Sequence, residues 1–301
     1  HCRTNSPEYQ QNVLSEYLAY RVFNLLTDVS FRARLLRITY VDTDKRDREY
    51  ETYAFLIESS KRFSKRIGAP PVAAPEPQSA AGASGAVVRI GYPRDRAFGF
   101  YYPGDLEKME QAGATLVSFD SLRDERLPVV DGLFIGGGFP ETVMQELEAN
   151  SGLRQDIRAF IERGHAVYAE CGGLMYLARS LTWRGKTCKM VGAIPGDVVM
   201  HDKPQGRGYA RLRETGLGPW PRLGEAVGEI AAHEFHYSAL ENLDPGLSFA
   251  YEVKRGSGID GSHDGIVRGN LLASYVHLRD VGGNHWTGRF VEHVRACSRG
   301  V

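Results

Sequence analysis

Cys171 stands in the run Ala166-Val167-Tyr168-Ala169-Glu170-Cys171-Gly172-Gly173-Leu174. A buried strand here leads into a thiol, and two glycines precede an apolar helix-like segment. A nucleophile at such a strand-to-helix turn is presented at the carboxyl end of a sheet, and glycines beside it allow close backbone approach. The helix N-terminus favours the thiolate, and a thiolate so placed can attack a carbonyl carbon. Cysteine is also among the residues most often buried. The same run therefore fits an inert core thiol, and spacing alone leaves both readings open.

Two other segments carry compatible chemistry. Gly136-Gly137-Gly138-Phe139-Pro140-Glu141 follows a strand ending at Ile135. Glycines at a strand end free backbone N–H groups to face an anion. In acyl transfer that anion is the tetrahedral oxygen, with Gly172 N–H as a second donor. A plain glycine-rich turn is the alternative, and a phosphate-binding loop is excluded because no Lys-Ser or Lys-Thr follows at the required spacing. In Leu271-Leu272-Ala273-Ser274-Tyr275-Val276-His277, an apolar strand ends on a histidine that could act as base toward a thiol on a neighbouring strand. The chain has nine histidines. Most of them, including His165, His263, His285 and His293, read as structural, and His277 stands out only in company with Cys171.

The elements that must position these residues alternate. Strands are expected over 87–92, 114–119, 129–135 and 166–170, and helices over 106–111, 141–150, 153–163 and 172–181. Residues 190–276 are richer in strands and turns. This order argues for an α/β fold, a mostly parallel sheet flanked by helices, over 87–301. Residues 67–86, rich in Pro, Ala, Gly and Ser, read as a linker. Residues 1–66 read as a small α+β module of unknown function: an amphipathic helix over 11–26, then strands over 34–41 and 53–57 that pair as a hairpin. That order also resembles part of the small lobe of CotH-like protein kinases, without a phosphate loop or metal motif.

The chain has 301 residues, 42% of them hydrophobic, enough for a sizeable core. Lys plus Arg and Asp plus Glu each number 37, for a net charge of zero. That balance argues against a nucleic-acid partner. No apolar run approaches the roughly 18 residues of a membrane span, and no leader segment is evident. The first residue is His1 rather than Met, and a fragment or a processed chain is the expectation. Four cysteines, Cys2, Cys171, Cys188 and Cys297, are scattered without metal-ligand spacing. A reducing cytoplasm and no metal site are the expectations.

Six strings, RDRAFGFYYPGDLEKMEQAGATLVSF (94–119), DGLFIGGGFPE (131–141), YAECGGLMYLARSL (168–181), MVGAIPGDVVM (190–200), HEFHYS (233–238) and VRGNLLASYVHL (267–278), together resemble the class I, triad-type glutamine amidotransferase domain. They are most similar to that domain of the cobyrinic acid a,c-diamide synthase (CobB/CbiA) family. The resemblance implies that Cys171 attacks the glutamine side-chain amide and that His277 shuttles the proton. It further implies oxyanion and substrate contacts from Gly137, Gly138, Gly172, Glu234 and Tyr237, with His233 lining or supporting the cleft. The ammonia would serve ATP-dependent amidation of the a and c carboxylates of cobyrinic or hydrogenobyrinic acid.

Three departures accompany the resemblance. Triad enzymes place a Glu two residues after the histidine, to orient it. Arg279 stands there; the branch lacks that Glu, so a Cys–His pair is implied, but it often has a second His at this place, which makes Arg279 a modest departure. Ala232 replaces a glycine before HEFHYS. Members of the family also carry an ATP-binding synthetase domain, which residues 1–66 do not resemble. ATP and Mg²⁺ are therefore expected only on a separate synthetase domain or chain that binds the corrinoid acid, and no cofactor is expected here. Alternatives are the glutaminase domain of another amidotransferase (cobyric acid synthase, a cell-wall lipid amidotransferase or a Ni-sirohydrochlorin a,c-diamide synthase) and a non-catalytic binding module.

Overall fold

Five parallel strands carry the chain around Cys171. In the computed structural model they lie side by side in the order Leu271–Ser274, Ala166–Glu170, Gly132–Ile135, Val88–Pro93 and Ala114–Phe119. The structure describes residues 17–18, 21, 32–41, 49–57, 62, 65–66, 87–222, 228–281 and 283–298. The chain divides into two compact units, His1–Pro77 and Gln78–Val301.

In the first unit, strands Ala33–Val41 and Glu49–Ile57 pair antiparallel, from Ala33 opposite Ile57 to Val41 opposite Glu49. This is the expected hairpin. The helix expected over 11–26 lies mostly outside the described residues, although 17, 18 and 21 are helical. The linker expected over 67–86 lies outside them altogether.

In the second unit, side chains alternate across the sheet with the period of two that a strand imposes. Val167 and Ala169 join a core on one face with Leu153, Ile157 and Phe160, which lie on the helix Ser151–Glu162. Asn150 caps that helix by accepting from Leu153 N–H. Ala166 and Tyr168 join a core on the other face with Trp286, Phe290 and Val294 of the helix Trp286–Cys297 and with Met109 of the helix Pro103–Gln111. Each large side chain so buried stabilises the fold by about 1.5–3 kcal/mol. Helices thus cover both faces of the parallel sheet, as the alternation predicts.

Beyond Leu271–Ser274 the sheet continues antiparallel through His263–Arg268, Ser248–Arg255, Gly206–Glu214, Ile230–His236 and His277–Leu278. Only Tyr275 and Val276 join the first and last of these six strands. Five inter-strand steps in a flat sheet would cover roughly 24 Å, whereas three Cα–Cα steps reach at most about 11 Å. The antiparallel half therefore curls until His277 returns to the carboxyl end of the parallel strands. Asp264, fully buried, holds the bend by accepting from Tyr275 N–H and Val276 N–H, both at 3.0 Å.

A four-stranded sheet of Lys186–Lys189, Ser180–Trp183, Asp197–Met200 and Ser238–Glu241 adjoins this core. The helix expected over 172–181 is shorter, Gly172–Leu177. Ala178 turns extended and Ser180–Trp183 forms a hairpin with Lys186–Lys189. Arg184 and Gly185 both take positive φ, the twist that a two-residue hairpin turn favours.

Candidate active site

The strand Ala166–Glu170 ends at Cys171, whose backbone is strained at φ 48°, ψ −102°. Hydrogen bonds fix this elbow on both sides. Cys171 N–H donates to Ser274 O at 2.8 Å, and Met175 N–H donates to Cys171 O at 3.0 Å. The glycines that follow are sterically required. A Cβ at Gly173 would collide with Ile135 O, and one at Gly172 would lie 2.8 Å from Gly138 N. The thiol is buried, with Phe235 O 3.9 Å from Sγ.

The glycine loop packs directly over the elbow. Gly137 and Gly138 form a short strand against Phe98–Phe100. A Cβ on Gly137 would come within 2.5 Å of His277 Cε1, and one on Gly138 would collide with Ala97 O. Cys171, His277, Gly137, Gly138 and Gly172 are thus brought together at the carboxyl end of the parallel sheet.

His277 is buried and lines the same cavity as Cys171. Burial alone would disfavour its charge. The neighbouring Cys171 and Glu170 favour the charged ring, outweigh burial and push its pKa up to about 10. Glu170, which the sequence reading did not single out, lies with Oε2 3.6 Å from His277 Nδ1. Its Oε1 accepts from Tyr168 O–H at 2.6 Å and from Leu278 N–H at 2.9 Å.

A cavity of about 320 Å³ opens onto these groups, lined by Cys171, His277, Gly138, His233 and the aromatic residues Phe100, Tyr101, Tyr102, Phe139 and Phe235. Strand parity sorts the HEFHYS segment. His233 and Phe235 face the cavity, while Glu234 and His236 point the other way and are buried. Glu234, expected among the substrate contacts, instead accepts from Ser257 N–H at 2.7 Å and Gly258 N–H at 3.0 Å. Burial raises its pKa, but the nearby His236 ring, 3.7 Å away, and the N–H groups of Gly258 and Ser257 prevail and hold it below the usual range. Tyr237 also lies outside the cavity lining, with its ring edge-on to Phe235 and its carbonyl accepting from His201 N–H at 2.7 Å.

His233 sits opposite His277 in the antiparallel pairing, with ring centroids 5.3 Å apart. Burial, then the charge of His277, lowers its pKa, which favours a neutral imidazole beside a charged one. Arg279 turns away from the pair and stacks its guanidinium over Tyr102 at 4.7 Å. Among the described residues no group of three or more His, Cys, Asp or Glu is placed to hold a metal ion. Among the same residues no helix is long and apolar enough to cross a membrane.

Comparison with known proteins places the chain in a family. The profile of the CobB/CobQ-like glutamine amidotransferase domain matches residues 89–281. The cobyrinate a,c-diamide synthase of Magnetococcus marinus is 50% identical over 202 residues, covering 67% of this chain and 43% of that protein. The protein of the same name from Methanosarcina acetivorans is 39% identical over 229 residues, covering 71% and 45%. The chain therefore spans under half the length of these curated relatives. In fold, a chain from the structure of PurLQS from Thermotoga maritima superposes with a TM-score of 0.50 at 15% identity, over 70% of this chain and 98% of that one. With the family profile covering the whole sheet and the Cys171–His277 site, this chain belongs to the CobB/CobQ-like glutamine amidotransferase domain family.

Proposed function

We propose that this chain hydrolyses glutamine and supplies the ammonia to an ATP-dependent synthetase that amidates the a and c carboxylates of cobyrinic or hydrogenobyrinic acid. The observation that carries the reading is the meeting of Cys171, His277 and the glycine loop in one cavity.

In this reading the Cys171 thiolate attacks the side-chain carbonyl carbon of glutamine. Backbone N–H groups of the Gly137–Gly138 loop and of Gly172 face the tetrahedral oxyanion. Collapse breaks the C–N bond, and the His277 imidazolium gives its proton to the departing nitrogen, which leaves as ammonia. Water then adds to the glutamyl thioester while His277 takes its proton. Glutamate leaves and the thiol is restored. ATP, Mg²⁺ and the corrinoid belong to the synthetase, supplied by a separate domain or chain.

The test is glutamine-dependent ammonia release, with the chain alone and with the synthetase half of a curated relative added. A glutamine-analogue electrophile, mapped by mass spectrometry, should label Cys171. Turnover that survives Cys171→Ala, or an absence of both turnover and label under every condition, overturns the reading.

A further inference from the structure

Glu170 occupies an unusual place for a carboxylate. It lies on the same strand face as Ala166 and Tyr168, which belong to the apolar core beneath Trp286. Burial of an ionisable group there is costly unless its oxygens are engaged. Tyr168 O–H and Leu278 N–H both donate to Oε1, which fixes the carboxylate plane and leaves Oε2 facing His277 Nδ1. Leu278 follows His277 directly, so the same carboxylate grips the backbone and faces the ring of one two-residue strand. The position two residues beyond the histidine holds a cation, Arg279, which lies over Tyr102.

We propose that Glu170, immediately before the nucleophile, is the positioning residue that orients His277 and stabilises its imidazolium. The inference rests on the glutaminase reading for its consequence in turnover, but not for the coupling itself. With Nδ1–H directed at Glu170, Nε2 is left for the thiol. The carboxylate then stabilises the positive ring that forms when Cys171 gives up its proton. The other groups around the pair are His233 on the facing strand, Tyr101, Tyr102 and Arg279 at the cavity side, Asp105, Tyr168 and Tyr251 near Glu170, and Tyr275 near Cys171. None of these replaces a carboxylate at Nδ1.

Glu170→Gln tests this. The variant keeps an acceptor for Tyr168 and Leu278 but turns an amide N–H toward Nδ1, which favours the wrong imidazole tautomer. In the free chain, the pH dependence of iodoacetamide alkylation, mapped to the Cys171 peptide, needs no glutamine. Glu170→Gln should move the wild-type midpoint up by at least about one pH unit. Turnover should fall about 10²–10³-fold in kcat with KM nearly unchanged. An unshifted midpoint in Glu170→Gln overturns the proposal. If Glu170→Gln does not fold, Tyr168→Phe decides: the same direction of shift supports the proposal and no shift overturns it. If wild type alkylates as expected but never hydrolyses glutamine, the functional reading fails while the coupling stands.

Discussion

Cys171 donates its backbone N–H to the carbonyl of Ser274 at 2.8 Å, and His277 lies three residues beyond Ser274. Glu170 and Ser274 are register partners in the same parallel pair. The thiol, the carboxylate and the imidazole are therefore set by one sheet end, without a mobile loop between them. Catalytic geometry of this kind tolerates little displacement, and the predictions below test that rigidity.

The elbow stores strain. A non-glycine residue at φ 48°, ψ −102° costs on the order of 1–3 kcal/mol. Cys171→Ala keeps that backbone cost, whereas Cys171→Gly releases it at a smaller entropic cost in the unfolded chain. Both variants should lose glutamine turnover. Cys171→Gly should be the more stable by about 1 kcal/mol in urea unfolding. An equal or lower midpoint for the glycine variant would show that the elbow carries no strain.

Neighbouring glycines in the loop should fail in different ways. A Cβ at Gly137 meets the His277 ring at 2.5 Å, so Gly137→Ala should push the imidazole aside. A displacement of about 1 Å costs about 100-fold in rate, while the melting temperature should change little. A Cβ at Gly138 meets backbone, Ala97 O, which cannot rotate away. Gly138→Ala should therefore destabilise the fold by about 1–3 kcal/mol. Equal melting temperatures for the two variants, by calorimetry, would contradict this division.

Cys171, His277 and the glycine loop were legible in the sequence because each sits at the end of an apolar strand, where a reactive group has no packing reason to be. Glu170 was not, because its neighbours Tyr168 and Ala169 read as core and only the curl of the sheet brings His277 to it. Glu234 was put on the cavity side for a related reason, whereas Tyr237 lies just past the end of the strand Ile230–His236. In HEFHYS, residues one apart face opposite sides of the strand, and composition does not say which side is the cavity. The parallel sheet was readable from its alternation with helices. The strand Ser180–Trp183 was not, since its apolar residues continue those of the preceding helix and only pairing with Lys186–Lys189 makes it extended. The helix Trp286–Cys297 escaped for want of a capping residue. Its N-cap is His285 in the left-handed region, with no side-chain cap bond.

His277 should make stability depend on alkaline pH. Burial opposes its charge, but Cys171 and Glu170 raise its folded pKa to about 10, above the ordinary value of about 6.5. Between these values the folded chain keeps a proton that the unfolded chain releases. Its contribution to stability is then complete below pH 6.5 and is lost as pH rises through about 10. His277→Gln should flatten the fall in unfolding free energy over that window relative to wild type. Parallel curves from denaturant titrations at pH 6, 8 and 10 would contradict the assignment.

Asp264 should prove a support for the site rather than part of its chemistry. Its Oδ1 accepts from Gly265 N–H and Tyr275 N–H, and Oδ2 accepts from Val276 N–H. Burial raises its pKa to about 6, against the pull of those three donors. The folded chain therefore holds this proton more tightly than the unfolded one, whose carboxyl sits near 3.9. The contribution of this group is greatest at low pH and is lost as pH rises through about 6. In Asp264→Asn one oxygen becomes an N–H facing a backbone donor, so an N–H of the Tyr275–Val276 bend goes unpaired. The variant should lose about 1–3 kcal/mol of stability at neutral pH. Because that bend leads directly to His277, turnover should fall as well, and the upward shift of the Cys171 alkylation midpoint should accompany it. A stable Asp264→Asn chain with wild-type alkylation would mean that the curl of the sheet, held by its antiparallel ladder, places His277 without this carboxylate.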